Sequence, residues 1–500
     1  GPLESATGAV DSRLVLIRNA EVAGLLRDIR LRDGEVVSIS ATSSPVNKAP
    51  SDSPTPKSPN DDDIDDIDDI DARGGALLPG LHDHHIHLHA LAAATLGFRC
   101  GLPDVTDEAA LRSVLSAAKP DSGWLRGTGY FESVAGDLDR HRLDALRDDL
   151  PLRIQHRSGV MWFVNSSGIE DLKLDSHPVG IPAGAVERDA SGRATGRIFR
   201  ADDWLRTRLP ASTPPDLATL GAELAGYGVT ALTDCTPTNG EEELARFRLA
   251  QETGALPQRL CAMGTLGIAN ASNDRLQIGA HKIMLDEPAL PDLDGLIARI
   301  RAAHGESRGV AFHCVTRAEI IFALAALRAA KTGCGNDRIE HASVAPPELF
   351  EEILSLGVTI VTQPNFVYER GDGYLENVAP LDIPHLYRLK SWTEAGIALG
   401  GGTDSPFGRP DPWQAMRAAV DRRTATGQSL GPEEALSPEE ALALFSPVLG
   451  ATNTPSETKA PGLKVGAPAD LCLLDVPWSI AREPLSTDHV RAVFCAGIRV

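Results

Sequence analysis

The chain has 500 residues, 69 of them acidic and 48 basic, so its formal net charge is −21, and at this length it should contain at least two folding units. An apolar content of 42% can fill a large core, whereas this negative charge repels nucleic acid and anionic membranes. The sequence contains no run of eighteen apolar residues, the length needed to span a bilayer, and its N-terminus lacks the basic-then-apolar order of a secretory signal. The cysteines form no CxxC pair. We therefore expect a cytoplasmic protein with reduced thiols.

The first predicted elements are short strands. Residues 12–42 contain β-branched runs separated by a turn at Arg32-Asp33-Gly34, which predicts a small β unit within residues 12–74. Residues 43–71 turn to Ser, Pro and Lys and end in DDDIDDIDDID. Like charges repel and apolar groups are few in this stretch, so we expect a disordered acidic insert. We interpret it as a solvated loop, against calcium binding or a basic partner as alternatives.

From Gly75 onward the pattern changes to apolar strands, most of them followed by a helix. The eight candidate strands are residues 76–81, 228–235, 258–266, 278–285, 309–315, 338–343, 357–364 and 396–404. Their continuous apolar runs are typical of strands buried on both faces, which predicts a parallel sheet wrapped by helices. Eight such units over residues 75–445 predict an α/β protein with a (β/α)8 TIM barrel.

Two further segments do not follow the barrel repeat. Residues 100–220 are rich in Trp, Arg and Gly, and we expect an insertion after the first strand that walls a substrate pocket. Residues 446–500 return to short strands with Gly and Pro turns. They are expected to complete the N-terminal β unit, so that this small domain is built discontinuously from both ends of the chain.

The sharpest chemical motif is LLPGLHDHHIHLH, a predicted strand that ends in His85-Ile86-His87. Residues i and i+2 of a strand point the same way, so both imidazoles face one point, as two ligands of one metal should. The carboxyl-terminal end of a barrel strand is where such barrels hold their active sites. His84 alternates to the opposite side, and with His82 and His89 it is interpreted as a structural or ligand-orienting group.

Further metal-competent residues follow on later strands. Lys282 lies inside strand 4, where a buried lysine needs a reason, and His313, His341 and Asp404 close strands 5, 6 and 8. The separations of 31, 28 and 63 residues correspond to one, one and two βα units of about 30 residues. With His85 and His87, these residues are predicted to meet at one barrel face as a one- or two-metal hydrolytic site.

This pattern resembles the amidohydrolase superfamily, which carries HxH on strand 1, a carboxylated Lys or a Glu on strand 4, His on strands 5 and 6, and Asp on strand 8. Within it, the sequence is most similar to family 3, the N-substituted formamide deformylase type. The similar features are the long insertion with WFVNSSG, HKIMLD on strand 4, TQPNF on strand 7 and GGTDSPFGRPDPW on strand 8. The resemblance runs from about residue 13 to the end and implies a barrel with a β-sandwich built from both termini.

The resemblance also implies roles for the candidate residues. His85 and His87 with Asp404 would hold one divalent ion, His313 and His341 a second, and a carboxylated Lys282 would bridge them. Zinc is the metal expected for this imidazole-rich set, with iron, manganese and cobalt as alternatives. A metal-bridging hydroxide would attack the scissile carbonyl, and Asp404 would act as general base and then general acid.

The predicted function is therefore metal-dependent hydrolysis of a non-peptide C–N bond in an N-acyl or N-formyl amide or a cyclic amide. The alternatives are a mononuclear deaminase of an amidine-type ring carbon, a lactone hydrolase and a catalytically silent barrel. We expect a small-molecule substrate and no nucleic-acid or membrane partner; a homodimer is considered because such barrels commonly pair. The candidate substrate-binding residues are Tyr130, Arg157, Trp162, Asn165, Gln363, Asn365, Tyr368, Ser405, Phe407 and Arg409.

Overall fold

The computed structural model describes residues 14–42, 67–210, 216–269, 272–333, 335–450, 459 and 461–500. At its centre lies an eight-stranded sheet in which neighbouring strands pair in parallel and in chain order. Barrel strands 1 to 8 are Leu81–Ile86, Val229–Asp234, Arg259–Gly264, Leu276–Met284, Val310–Cys314, Arg338–His341, Thr359–Thr362 and Leu399–Gly401. The predicted TIM barrel of the α/β class is confirmed.

The barrel closes where strand 8 meets strand 1. The Asp404 amide donates to the His85 carbonyl at 2.8 Å, and the His87 amide donates to the Ser405 carbonyl at 2.9 Å. The buried Asp83 carboxylate accepts from the Thr403 amide at 3.0 Å and from its hydroxyl at 2.5 Å. These bonds place the end of strand 1 directly beside the end of strand 8.

The first barrel strand begins later than predicted. The apolar run at residues 76–81 predicts this strand, but Leu77–Pro79 pairs antiparallel with Leu471–Leu474 in a separate sheet. Gly80 makes the passage between the two sheets, and a Cβ there would lie only 2.0 Å from the Thr230 hydroxyl oxygen. One apolar run therefore supplies two sheets, which a hydrophobicity pattern does not separate.

Helices surround the barrel and also lie between the strands of the insertion. Within the described residues they are Leu88–Thr95, Glu108–Ala117, Glu132–Ala135, Arg140–Leu146, Ser166–Leu172, Asp202–Arg208, Leu217–Gly226, Glu241–Glu252, Leu293–Gly305, Arg317–Ala330, Phe350–Ser355, Asn365–Asn377, Lys390–Glu394, Pro412–Asp421, Pro438–Leu444 and Trp478–Ala481. The helix Arg317–Ala330 shows the local logic. Thr316 and Glu319 form a capping box at its start, and Ile320 and Leu324 are buried against the barrel.

Two four-stranded sheets are built from the two ends of the chain. One contains Leu14–Val22, Leu25–Arg32, Glu35–Ala41 and Ile67–Asp71; the other contains Leu77–Pro79, Leu471–Leu474, Val490–Cys495 and Ile498–Arg499. Side chains of both sheets share one apolar core, with Ile17 and Ile29 from the first and Leu473 and Phe494 from the second. This is the small β-sandwich that the resemblance implied.

The acidic insert was predicted over residues 43–71, and its end needs correction. Ile67–Asp71 is a strand that pairs in parallel with Leu14–Val22. Ile70 is buried in the sandwich core, and Arg18 Nε donates to the Asp69 carboxylate at 2.7 Å. One apolar contact and paired charges thus stabilise a stretch that looks uniformly acidic. The rest of the predicted insert, residues 43–66, lies outside the described residues.

The insertion between barrel strands 1 and 2 forms its own six-stranded sheet. Its strands are Phe98–Arg99, Leu125–Tyr130, Leu152–His156, Met161–Val164, Val186–Arg188 and Ala194–Phe199. Apolar clusters pack around this sheet. The insertion reaches the barrel where Arg370 donates to the Arg157 carbonyl at 3.4 Å. It therefore borders the carboxyl-terminal end of the barrel.

Among the residues described, no helix is long and apolar enough to cross a membrane.

Candidate active site

The predicted histidines and aspartate converge at the carboxyl-terminal end of the barrel. The ring centroid of His85 lies 5.3 Å from that of His87 and 4.8 Å from that of His341, and the His313 centroid lies 4.6 Å from that of His341. Asp404 Oδ1 is 3.2 Å from His85 Nε2 and 3.1 Å from His87 Nε2. Ligand atoms of His85, His87 and Asp404 lie within 4.8 Å of one another. These groups are close enough to share metal ions.

The strand register explains how residues on different strands reach one place. On strands 4 and 5, Met284 pairs with His313, so Lys282 lies two positions before the pair. On strands 5 and 6, Cys314 pairs with His341, so His341 lies one position beyond His313. The candidate ligand therefore lies further along its strand on each successive strand. Because barrel strands are tilted and staggered, this shift keeps the ligands at the same end of the barrel.

Three of the four imidazoles are hydrogen-bonded at Nδ1 to a neighbouring side chain. The partners are Glu340 Oε2 for His85 at 2.5 Å, Thr236 Oγ1 for His87 at 3.0 Å and Gln363 Oε1 for His341 at 2.7 Å. A group that occupies Nδ1 fixes the ring orientation and leaves Nε2 for a metal. The sequence suggests Gln363 as a pocket group, but in the structure it orients a histidine.

Glu340 is the main functional residue that the sequence analysis missed. It is fully buried, accepts from Arg338 at 2.7 and 3.0 Å, and bonds His85 as described. Arg338 also donates to the His84 carbonyl at 2.8 Å. The available signal was the R-x-E spacing on strand 6, because i and i+2 face the same side of a strand and two charges inside a barrel must pair.

Lys282 is buried, with 2% of its surface exposed. Its Nζ has no hydrogen-bond partner among the residues that the structure describes. An unpartnered amine in such a place is unfavourable. A divalent metal set accounts for this amine, because carboxylation would convert it into an anionic oxygen donor beside imidazoles that can ligate a metal directly. The residues present therefore fit the metal that the predicted site requires.

Electrostatics favour the ligating protonation states of Asp404, His313 and His341. The exception is His85: burial lowers its pKa, but neighbouring acidic groups, among them Asp404 and Glu340, outweigh burial and raise the pKa well above its usual value. Burial disfavours the Asp404 carboxylate, but the nearby His85 and hydrogen bonds from His85 and His87 outweigh it and hold the pKa of Asp404 well below its usual range. Burial lowers the pKa of His341 to about 3 and that of His313 well below its usual value. An ionised carboxylate and neutral imidazoles are the ligating forms.

Two of the converging residues have strained backbones. His341 and Asp404 have φ values of 70° and 56°, in the left-handed region that residues other than glycine rarely adopt. Such conformations persist where the surroundings impose them, and they cluster at functional sites. Both occur where a barrel strand ends and its side chain turns toward the cluster.

Two predicted substrate-binding residues line a pocket beside this cluster. Phe407 meets His87 edge to face with ring centroids 5.7 Å apart, and Arg157 lies across the pocket over the Phe131 ring. Arg99 and Arg370 line the same pocket and were not selected from the sequence. Arg99 comes from the insertion and Arg370 from the helix Asn365–Asn377 of the barrel, and their proximity depends on packing that spacing does not reveal.

Four other predicted substrate-binding residues form internal hydrogen bonds, and their contact with substrate stays a prediction. Tyr130 Oη donates to the Gly136 carbonyl at 2.5 Å, and Ser405 Oγ donates to the Gly408 carbonyl at 2.5 Å. Trp162 Nε1 donates to the Asp202 carboxylate at 2.8 Å. Asn165 caps the helix Ser166–Leu172 and donates to the Leu150 carbonyl at 2.9 Å. All four are buried. Their polar groups stabilise the insertion and the strand 8 loop, which is a use that residue type alone does not distinguish from substrate binding.

The remaining candidates lie at the margin. Asn365 is buried and donates to the Thr403 carbonyl at 3.0 Å, which supports the loop that carries Asp404. Arg409 pairs with Asp104 at 2.5 Å. Neither Arg409 nor Tyr368 is among the residues that line the described pocket.

Comparison with known proteins is consistent with this geometry. Residues 68–500 match the model of the amidohydrolase family. An N-substituted formamide deformylase of Arthrobacter pascens is 25% identical over 468 residues, covering 81% of this chain and 84% of that protein. An uncharacterized metal-dependent hydrolase of Pyrococcus horikoshii superposes with a TM-score of 0.68 at 19% identity, over 96% of this chain and all of that one. Its counterpart from Pyrococcus furiosus has a TM-score of 0.66 at 21% identity, over 93% and 99% of the two chains.

Proposed function

This chain belongs to the amidohydrolase family and is a hydrolase acting on C–N bonds, and from that premise we propose metal-dependent cleavage of a non-peptide amide, either N-acyl, N-formyl or cyclic. The observation that carries the proposal is the convergence of four imidazoles and Asp404, together with the buried Nζ of Lys282, which has no hydrogen-bond partner among the described residues. The relative described as an N-substituted formamide deformylase makes N-formyl amides the first substrates to test.

The proposed metal ligands are His85, His87 and Asp404 for one ion and His313 and His341 for a second, with Lys282 between them. Metal ions bound there would supply Lewis acidity, polarising the scissile carbonyl and lowering the pKa of water. Zinc suits a ligand set rich in imidazole.

Asp404 is the proposed proton-transfer group. Its pKa lies well below the usual range, so it is ionised at neutral pH and can accept a proton from the attacking water. It would then release that proton to the nitrogen of the leaving amine. His85 and His87, which contact Asp404 Oδ1, keep the carboxylate in position for both transfers.

Lys282 is proposed to react with CO2, so that its Nζ forms a bond to carbon, one proton is released and an anionic carbamate results. Burial of the amine without a partner among the described residues supports this modification. Solution NMR of protein equilibrated with 13C-bicarbonate should show one carbamate signal that Lys282→Ala removes. An unmodified Lys282 together with one bound ion per chain would support mononuclear deamination instead.

A substrate panel tests the proposed function. Zinc-loaded protein should release a primary amine from N-formyl or N-acyl amides, or open hydantoins and other cyclic amides, when products are followed by chromatography. Release of ammonia only, from amidine-type rings, would favour the deaminase, and hydrolysis restricted to lactones would contradict C–N specificity. Fully loaded protein that cleaves none of these compounds would overturn the proposal.

A further inference from the structure

The pocket beside the metal-ligand cluster is unusually rich in arginine. Arg99, Phe131 and Arg157 come from the insertion, and Glu369, Arg370 and Phe407 come from loops and helices that follow barrel strands 7 and 8. Phe407 connects the pocket to the proposed catalytic residues, because its amide donates to the Asp404 carbonyl at 2.8 Å and its ring meets His87. A molecule bound at the cluster would therefore extend into this pocket.

Arg157 presents its guanidinium group to this pocket. Its guanidinium forms neither a hydrogen bond nor an ion pair with any residue the structure describes, although its backbone amide is fixed by the Tyr130 carbonyl at 2.8 Å. The guanidinium carbon lies over the Phe131 ring, 3.3 Å from the ring centre, and this cation–π contact restricts where its planar set of donors can point. Burial, and then repulsion by Arg370, lower the pKa of Arg157 to about 10.

Arg370 lies beside Arg157 and is anchored at one nitrogen only. That nitrogen donates to the Phe407 carbonyl at 2.6 Å and to the Arg157 carbonyl at 3.4 Å, and the guanidinium stacks on Phe366 at 3.9 Å. The two arginines are thus held side by side by aromatic rings and backbone, not by acidic groups.

Burial lowers the pKa of Arg370, but neighbouring tyrosines, Asp404 and Glu369 outweigh burial and raise that pKa. Among the described residues, however, no carboxylate forms an ion pair with the guanidinium of Arg157 or of Arg370. Arg99 is 3.4 Å from Asp104, outside the pocket. Glu369 accepts from Asn365 and from the Arg409 amide, and burial raises its pKa. Within the described part of the chain, Glu369 forms no ion pair with the pocket arginines. Two half-buried guanidinium groups that form no ion pair with residues that the structure describes leave hydrogen-bond donors for an anion bound between them.

We propose that this pocket binds a carboxylate carried by the substrate, so that the enzyme acts on N-acylated or N-formylated amino acids in preference to neutral amides. A carboxylate matches the planar fork of a guanidinium with two parallel hydrogen bonds, and Phe131 and Phe407 offer apolar surface to the rest of the molecule. This inference rests on the proposed amide hydrolysis, since it names the substrate class of the same site.

Two substrates that differ only in the carboxylate test it. N-formylphenylglycine is N-benzylformamide with one carboxylate added, and wild-type protein should favour it in kcat/KM by roughly 10- to 100-fold, the range expected for hydrogen bonds to a charged group. Arg157→Gln should reduce that ratio by a similar factor, and Arg157→Lys, which keeps the charge without the fork, should restore part of it. Arg206→Gln changes the same charge at an exposed position and should leave the ratio unchanged.

Calorimetric binding of phenylacetate, with phenylacetamide as the neutral control, separates this inference from the proposed function. Phenylacetate binding that is weakened about tenfold or more by Arg157→Gln supports the anion site even if no amide is cleaved, in which case only the proposed function fails. Equal kcat/KM for both formamides, with binding unaffected by Arg157→Gln, would overturn the anion site and leave the hydrolase intact. Unfolding midpoints of each variant identify any loss that comes from misfolding.

Discussion

At the scale of single residues, the candidate site depends on groups that do not themselves face the cluster. Glu340, Thr236 and Gln363 each occupy the Nδ1 atom of one histidine. Because the orientation of a ligating imidazole depends on such partners, metal affinity should respond to them as well as to the ligands.

Asp404→Asn tests the proposed proton transfer. The amide keeps the shape of the side chain but cannot accept a proton, so kcat for amide hydrolysis should fall by roughly 10²- to 10⁴-fold while the histidines retain the metal. Initial rates at saturating substrate and metal content by mass spectrometry measure the two effects. Asp203→Asn, at a side chain 82% exposed, is the matched control. A kcat within twofold of wild type would exclude Asp404 from this role.

Glu340→Gln tests the buried support of His85. Removing this carboxylate leaves Arg338 as an uncompensated buried charge, so the free energy of unfolding should fall by about 3–5 kcal/mol. Zinc affinity should fall by roughly 10- to 100-fold because the His85 ring loses its charged partner. Urea unfolding and competition with a chelator measure these changes.

The double variant Arg338→Met, Glu340→Gln separates the two consequences. It removes the unpaired cation, so most of the stability should return while zinc affinity stays low. Full recovery of zinc affinity in the double variant would show that Glu340 serves stability alone.

At the scale of elements, the approach of strand 8 to strand 1 positions the proposed metal ligands. Gly402 allows it, because a Cβ at that position would lie 2.4 Å from the Cβ and 2.5 Å from the amide nitrogen of His85. The strands carry Asp404 and His85 on either side of this contact. Barrel closure and site geometry therefore depend on the same backbone contact.

Gly402→Ala should separate these two strands. Overpacking of this kind costs about 1–3 kcal/mol of unfolding free energy, and the displacement of His85 from Asp404 should lower zinc content as well. Gly305→Ala is the matched control, since a Cβ at the exposed end of the helix Leu293–Gly305 meets nothing within 4 Å. Wild-type stability and zinc content in Gly402→Ala would contradict the close approach of strand 8 to His85.

Glu434, which follows strand 8 in the sequence, connects to the segment that precedes strand 8. Glu434 is buried and accepts from Arg388, from the Leu389 amide and from the Ser391 amide, each at 2.9 Å. Burial opposes ionisation, but the hydrogen bonds from Ser391 and Leu389 and the charge of Arg388 hold the pKa of Glu434 below its ordinary value. The stabilisation is thus present above the pKa of the unfolded chain and is lost as pH falls through the folded value.

Glu434→Gln should consequently reduce the free energy of unfolding by about 1–3 kcal/mol at neutral pH, and by progressively less in acid, as wild-type Glu434 itself becomes protonated. Urea titrations at neutral and acidic pH give the difference. Glu433→Gln removes the same charge from an exposed neighbour and should change stability little at either pH. An equal loss at both pH values would contradict the pKa shift.

At the scale of the whole molecule, the net charge of −21 does not describe the pocket. Part of the acidity lies in the run that ends at Asp71. The described end of that run, Ile67–Asp71, is a strand of the sandwich and not part of the barrel end. The insertion and the barrel helix Asn365–Asn377 instead bring Arg99, Arg157 and Arg370 together. A protein whose mean charge repels anions can therefore present a local cationic pocket.

Which features of the fold and the candidate site can be predicted from the sequence depends on how far apart in the chain the interacting residues lie. The barrel, its strand order and the convergence of the six candidate ligands follow from periodic patterns, because equivalent strand ends must share one face. The roles of Glu340 and Arg370 do not, since each depends on contacts between segments far apart in the chain. Tyr130 and Asn165 show the converse, because internal partners satisfy polar groups that residue type suggested for substrate.

The most direct test of the central claim is a zinc titration of chelator-treated protein, with amine release from N-formyl amides as the readout. Hydrolysis should disappear when the metal is removed and return in proportion to zinc bound by the cluster of His85, His87, Lys282, His313, His341 and Asp404. A His85→Ala, His87→Ala variant should not recover. Undiminished hydrolysis by protein shown to contain no metal would contradict the account.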